Sequence, residues 1–163
     1  MPFSIRPTRP DDRDAVWRIM EPIIRAGETY SLPRDMGREE GLAHWFAHDR
    51  SVFVADGKYG EILGTYYLRA NRPGPGAHVA NAGFMVLGKA AGNGVGQALC
   101  DHALAAATVQ GFSAMQFNFV VSSNTSAVRL WQRMGFHEIG RVPDAFQHPQ
   151  LGLVDALVMY RKL

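Results

Sequence analysis

The pattern of apolar and polar positions along the chain predicts an alternation of strands and helices. Period-two alternation and short apolar runs indicate strands at residues 3–6, 51–55, 61–70, 77–87, 114–121, 136–142 and 153–160. Helical spacing indicates helices at residues 12–26, 39–48 and 95–110, and a fourth that begins at 122–124 and ends at Gly135. Residues 143–152, PDAFQHPQLG, are predicted as a loop. The order β-α-α-β-β-β-α-β-α-β-β indicates an α/β fold with a mixed sheet.

The stretch 84–99, FMVLGKAAGNGVGQAL, joins a predicted strand to a predicted helix through a glycine-rich turn. The first N–H groups of a helix have no partner inside the helix, and they lie at the positive end of its dipole. Glycines at 92, 94 and 96 keep side chains away from these groups and allow positive φ angles. The combination favours a phosphate-binding site, although a simple connecting turn remains the alternative.

The spacing of the glycines narrows the choice of ligand. A dinucleotide-binding loop has the pattern G-x-G-x-x-G in a first βαβ unit, but here Gln97 stands in place of the third glycine and the loop lies past the middle of the chain. A nucleoside-triphosphate loop ends in G-K-S/T, and this stretch does not. Both of these ligand classes are therefore disfavoured.

Two segments have the spacing of known motifs. The first motif has a valine, then the pattern Gln/Arg-x-x-Gly-x-Gly/Ala, and then a leucine. These positions are occupied here by Val86, Ala91, Gly94, Gly96 and Leu99. Ala91 departs from the Gln or Arg that is usual there. The second segment is 124–136, NTSAVRLWQRMGF, which begins with an asparagine and ends with Gly-Phe. These segments resemble motifs A and B of the GNAT superfamily of acyl-CoA N-acyltransferases.

The resemblance implies the GNAT fold, in which two parallel strands of the sheet splay apart and hold acetyl-CoA between them. It assigns the pyrophosphate to Gly92, Asn93, Gly94, Val95 and Gly96, and the pantetheine to the backbone of Phe84, Met85 and Val86. A backbone N–H near Met85 is expected to stabilise the developing oxyanion.

The motif B segment is also expected to contact the cofactor, through Asn124 and Trp131. Relatives often have a tyrosine acid at the position of Trp131. An indole N–H does not deliver a proton to a thiolate at neutral pH. CoA is therefore expected to leave as the thiolate or to be protonated by water, and Trp131 is either a wall beside the cofactor or simply a core aromatic residue.

The acceptor site is predicted from asparagines around the splayed strands. Asn81 stands where many relatives have a glutamate base, Asn118 lies in the middle of the neighbouring strand, and Asn124 follows that strand. Their spacing resembles that of the fungal proline-analogue acetyltransferases, which implies that Asn81 and Asn118 orient a small amino or imino acid. The alternative is that Asn81 and Asn118 only pair with backbone groups at the gap and that Asn124 caps a helix.

A second acceptor is also compatible with the sequence. The segment GETYSLP, residues 27–33, resembles part of the phosphinothricin acetyltransferases, which implies that Glu28 is the general base and draws attention to Tyr30. Glu28 is otherwise a solvated loop carboxylate. A third interpretation is a non-catalytic acyl-CoA sensor, because Ala91 and Trp131 depart from the motifs.

Composition excludes few other classes. The net charge is +2 and the basic residues are scattered, so nucleic-acid binding gains no support. The single Cys100 suggests a small packed residue, and His78, His137 and His148 lack metal-ligand spacing. No apolar run predicts a membrane span or a leader. We expect a single cytoplasmic domain over residues 1–163 that acts on a small-molecule amine, and a homodimer is compatible with this expectation.

Overall fold

A computed structural model describes residues 2–163, whose seven strands form one mixed sheet in the order β1-β2-β3-β4-β5-β7-β6. The strands are β1 (Phe3–Pro7), β2 (Ser51–Gly57), β3 (Ile62–Ala70), β4 (Val79–Val86), β5 (Ala114–Val121), β6 (His137–His148) and β7 (Gly152–Lys162). The helices are α1 (Arg13–Ala26), α2 (Arg38–Trp45), α3 (Val95–Val109) and α4 (Thr125–Arg133). The predicted element order and fold class are confirmed.

The only parallel neighbours in this sheet, as far as residues 2–163 are concerned, are β4 and β5. Their pairing is limited to Val79 with Ala114 and Ala80 with Met115, after which the ladder ends. β4 remains paired with β3 along its whole length, and β5 remains paired with β7. The two parallel strands therefore open into a gap toward their carboxyl ends, as the fold prediction expects.

Each face of the sheet has its own hydrophobic core. One face packs against α3 and α4, with Leu99, Met115 and Met159 fully buried. The other face packs against α1 and α2, with Ile19, Met20 and Trp45 fully buried. Because side chains alternate between faces along a strand, neighbouring residues of β4 enter different cores.

The β6–β7 hairpin differs from the prediction. Residues 143–148, predicted as loop, continue β6, and the connection shrinks to 149–151. Pro143 is tolerated because β6 is an edge strand with a bulge between Val142 and Phe146, where Asp144 has φ 51°. The α2 prediction, 39–48, was also shifted, since that helix spans Arg38–Trp45. Within residues 2–163, none of the helices combines the length and apolarity needed to cross a membrane.

Candidate active site

The glycine loop precedes α3 and leaves open space beside the N-terminus of that helix. Gly92 and Gly94 have φ angles of 78° and 79°, so each occupies a conformation that L side chains rarely adopt. A Cβ on either glycine would meet no atom of residues 2–163 within 4 Å. The first internal bond of α3 runs from the Ala98 N–H to the Gly94 carbonyl, so the preceding N–H groups lack helical acceptors. The site fits a phosphate group.

The backbone of β4 presents alternate residues to the gap. At one end of the β3–β4 ladder the Leu87 N–H donates to the Leu63 carbonyl, and at the other the Asn71 N–H donates to Val79. Odd-numbered residues of β4 therefore exchange hydrogen bonds with β3, and even-numbered ones direct their N–H and carbonyl groups away from it. The polar backbone groups of Phe84 and Val86 thus face the gap.

This alternation corrects the role predicted for Met85. Met85 lies opposite Thr65 in a pair that bonds to β3, and its side chain is buried in the core on the α1 and α2 face. Its own N–H is therefore committed to the ladder and is not free for an acyl oxygen. The N–H groups of Phe84 and Val86, on either side of Met85, point away from β3 and into the gap, as an oxyanion donor must.

Tyr30 ties the loop after α1 to the gap. Its hydroxyl donates to the Phe84 carbonyl at 2.8 Å. Burial raises the pKa of Tyr30 well above its usual range, so the hydroxyl stays protonated. Glu28 is half-buried two residues earlier in the same loop. Tyr30 therefore places the loop that bears Glu28 beside the unpaired edge of β4.

The predicted asparagines form a hydrogen-bonded cluster where β4 and β5 separate. Asn81 Nδ2 donates to the Gln116 carbonyl at 3.0 Å, one residue beyond the last paired position. Asn118 accepts from Gln116 Nε2 at 3.0 Å, and its Nδ2 donates to Asn71 Oδ1 at 2.7 Å. Asn71, the residue that follows β3, is buried at 7% exposure and completes this cluster. Asn81 and Asn118 thus lie on neighbouring strands, with both polar atoms of Asn118 engaged by protein.

Asn124 and Trp131 lie beyond β5, at the other side of the gap. Asn124 is the N-cap of α4, because its Oδ1 accepts from the Ala127 N–H at 3.4 Å. Trp131 is buried among aromatic rings, with ring centroids 5.1 Å from Phe84 and 4.9 Å from Phe117. Its packing fits either a wall beside the gap or a core position, and Asn124 has a demonstrable capping role.

A surface cavity of about 380 Å³ lies between the loop after α1 and the β6–β7 hairpin. Its lining includes Tyr30 and Leu32 from the loop and Phe146 and Gln147 from β6. Tyr30 therefore connects this cavity to the backbone of Phe84.

Comparison with known proteins decides the family. The Acetyltransferase (GNAT) family model matches residues 17–136. The chain belongs to the GNAT family of acetyltransferases. It is 30% identical over 152 residues to N-acetyltransferase aca1 of Schizosaccharomyces pombe, covering 83% of this chain and 72% of that protein.

Solved GNAT structures agree with this assignment. A GCN5-related N-acetyltransferase from Kribbella flavida is 43% identical, with a TM-score of 0.94 and coverage of 99% of this chain and 98% of that chain. A phosphinothricin acetyltransferase from Sinorhizobium meliloti, solved in complex with AcCoA, is 20% identical with a TM-score of 0.86, covering 100% and 89%. The second likeness supports the fold alone.

The cysteine of this GNAT chain is a buried side chain, and the described residues contain no metal-binding cluster. Cys100 is fully buried in α3, and burial raises the pKa of its thiol to about 12, so the thiol is a packed residue as predicted. In the described part of the chain, no three His, Cys, Asp or Glu side chains are arranged to hold a metal ion.

Sequence reasoning missed three residues near the acceptor side of the GNAT gap. Tyr67 pairs with Gly83 across the β3–β4 ladder, Arg50 packs on the Tyr67 ring, and Asn71 accepts a hydrogen bond from Asn118. The one available signal was the arginine at the start of a strand that is otherwise apolar. Nothing in the linear spacing brings these three together.

Proposed function

We propose that the chain transfers an acetyl group from acetyl-CoA to the amine of a small amino or imino acid, by direct attack in a ternary complex. The observation that supports this most is the gap between β4 and β5, which opens beside the glycine loop and receives the N–H groups of Phe84 and Val86. Related folds were solved with acetyl-CoA, including the Sinorhizobium meliloti and Salmonella typhimurium proteins.

The donor side is proposed to work through backbone groups. Acetyl-CoA, when bound, supplies the acyl group as an activated thioester. We assign its pyrophosphate to the loop residues Gly92, Asn93, Gly94, Val95 and Gly96. Its pantetheine is assigned to the backbone edge of Phe84 to Val86, and Asn124 and Trp131 to the cofactor wall. The Phe84 and Val86 N–H groups are placed to stabilise charge that develops on the acyl oxygen.

On the acceptor side, the amine nitrogen must be neutral to attack, so a base or water removes its proton. Glu28 is the proposed base, because Tyr30 ties its loop to the edge of β4. Asn81 and Asn118 shape the point where the strands separate, and through it they orient the acceptor. The departing thiol needs no strong acid, since a thiol pKa is about 8.5.

The test is release of free thiol from acetyl-CoA in the presence of different amines. The panel contains azetidine-2-carboxylate, proline analogues, phosphinothricin, methionine sulfone and polyamines, with a reaction lacking acceptor as the blank. Turnover of amino or imino acids well above the blank is expected. Silence across the panel while CoA still binds would contradict the proposal and favour an acyl-CoA sensor.

A second candidate is acetylation of phosphinothricin or methionine sulfone. The half-buried Glu28 in a loop anchored by Tyr30 favours it, and a putative phosphinothricin N-acetyltransferase shares the fold at 20% identity and a TM-score of 0.87. Turnover restricted to these two acceptors would rank Glu28 above the asparagines. Turnover of the imino acids would reverse that ranking.

The remaining expectations concern assembly and place in the cell. The exposed apolar side chains of the β6–β7 hairpin, Ile139, Leu151 and Leu153, are compatible with a homodimer, which sedimentation would test. A single domain and a cytoplasmic location stay predictions.

A further inference from the structure

Arg50 is a buried cation without a hydrogen-bonding partner. Its side chain is only 8% exposed, and Nε and Nη1 are fully buried with no acceptor among residues 2–163. The nearest carboxylate oxygen, Asp49 Oδ1, is 3.8 Å from Nε, beyond hydrogen-bond distance. A buried guanidinium with free donors is costly, so an occupant that accepts from it is expected there.

The strand register places Arg50 on the acceptor face of the sheet. Ser51 pairs with Leu68, so Arg50 lies beside Arg69, and Arg69 pairs with Asn81. Arg50, Arg69 and Asn81 therefore lie side by side across the sheet. Asn81 is the first residue of β4 beyond its pairing with β5. This face is the one covered by α1 and α2, from which Tyr30 reaches β4.

The ring of Tyr67 lies between the Arg50 guanidinium and β4. The Arg50 guanidinium carbon lies 4.0 Å from the centroid of the Tyr67 ring. That ring covers Gly83, where an added Cβ would lie 2.5 Å from Tyr67 Cε1. Gly83 directly precedes Phe84, whose carbonyl accepts from Tyr30. The guanidinium thus packs on a ring that itself covers the residue preceding Phe84 in β4.

The charge around Arg50 is unbalanced. Arg69 adds a second cation, and its Nε is buried without a partner among the described residues. Asp49 is the one carboxylate that the two arginines contact in residues 2–163, and it accepts from Arg69 Nη1 at 3.4 Å. Burial lowers the pKa of nearby His44, as do the two arginines, so its charged form is disfavoured. Tyr30 is neutral, because its pKa is raised. One positive charge therefore remains for a ligand.

We propose that Arg50, stacked on Tyr67, binds the carboxylate of the acceptor and thereby selects amino or imino acids over amines that lack an acid group. This inference rests on the proposed function and names the residue that sets its substrate class. A guanidinium is suited to the task because its planar donors can bond both oxygens of a carboxylate. Asn81 and Asn118, whose amides are engaged by protein, then shape the site rather than hold the acid.

The test compares acids with their uncharged analogues. Azetidine-2-carboxylate and azetidine-2-carboxamide form one pair, and methionine sulfone and its carboxamide form the other. Wild-type kcat/KM is expected to favour the acid by about 100-fold, and Arg50→Met to reduce that preference at least tenfold through KM, with CoA affinity unchanged. Arg18→Met, at an exposed position of α1, is the matched control and should leave the preference intact.

A binding measurement without acetyl-CoA provides a second readout. The acid, and not its carboxamide, should raise the melting temperature of wild type, and Arg50→Met should lose this shift. Arg50→Lys keeps the charge without the planar fork and should give an intermediate preference, which covers the case in which Arg50→Met does not fold.

The outcomes separate the two proposals. Equal losses for acid and carboxamide in the Arg50 variants would make Arg50 structural and overturn the inference while the proposed function stands. Efficient turnover of polyamines alone would overturn both the acid-binding role and the proposed class of acceptor. No turnover of any amine by wild type would overturn the proposed function itself.

Discussion

The two sides of the gap between β4 and β5 are built from different parts of the chain. The proposed donor side consists of main chain: the glycine loop, the first N–H groups of α3 and the alternate backbone groups of β4. The proposed acceptor side consists of side chains from separate elements, among them Tyr30, Arg50 and Tyr67. Backbone donors survive most substitutions, whereas a site made of side chains changes with each one.

This contrast explains which departures from the family pattern are tolerable. Ala91 and Trp131 replace residues with useful side chains on the donor side, but the main-chain groups there remain in place. On the proposed acceptor side, Asn81 cannot act as a base, because an amide does not take a proton at neutral pH. From this difference we expect donor binding to depend mainly on the main chain and acceptor choice to depend on the side chains.

The largest expected effect comes from filling the backbone site. Gly94→Glu places a carboxylate where the pyrophosphate is proposed to lie, so acetyl-CoA affinity should fall by more than about 100-fold through lost hydrogen bonds and charge repulsion. Calorimetric titration with CoA measures the change. Gly60→Glu is the matched control, because Gly60 has a similar φ of 81° and equally open surroundings in the β2–β3 turn. Equal losses in both variants would refute the phosphate site.

A second variant tests the asparagine cluster. Asn118→Ala leaves Asn71 buried without its partner, so the free energy of unfolding should fall by about 2 kcal/mol. The acceptor KM should rise while CoA affinity stays constant. Urea unfolding and steady-state kinetics provide both values, with the exposed Gln110→Ala as control. A drop in CoA affinity alone would assign Asn118 to the donor side.

Tyr30→Phe removes the single hydrogen bond that ties the acceptor loop to β4. A loss of about 1 kcal/mol is expected, which lowers kcat/KM for the acceptor by about fivefold. Tyr59→Phe, at an 85% exposed position, should change nothing. If only the KM for acetyl-CoA moves, the loop serves the donor side instead.

The smallest effect is expected for Trp131→Phe. The indole packs against Phe84 and Phe117, so a smaller ring should cost about 1 kcal/mol of stability and change kcat by less than about twofold. Stopped-flow measurement of thiol release gives the rate. A loss of kcat above twentyfold would show that the indole takes part in the chemistry.

Much of the donor side could be predicted from the sequence, because its signals are local. The glycine loop, the helix that follows it and the cap at Asn124 are each contained in a few consecutive residues. The oxyanion N–H was predicted near Met85, but the Met85 N–H itself points to β3. Successive residues of a strand direct their backbone groups to opposite neighbours, so an error of one residue reverses that direction.

The acceptor side could be predicted only in part. Arg50 and Asn81 are separated by thirty-one positions in sequence, and they share a row only through the pairings β2–β3 and β3–β4. Register of this kind depends on turns and bulges, such as the shift between Ala55 and Asp56. The strand beyond Pro143 was missed for a related reason, since proline is excluded from central strands and tolerated at an edge.

The central claim is that main-chain N–H groups of the gap and the glycine loop hold the acyl donor. Titration of the ¹⁵N-labelled protein with acetyl-CoA tests it directly through the amide shifts. The account predicts saturable changes at Gly94, Val95 and Gly96 and at Phe84 and Val86, with Met85 less affected. Shifts confined to other parts of the chain, or none at millimolar acetyl-CoA, would contradict it.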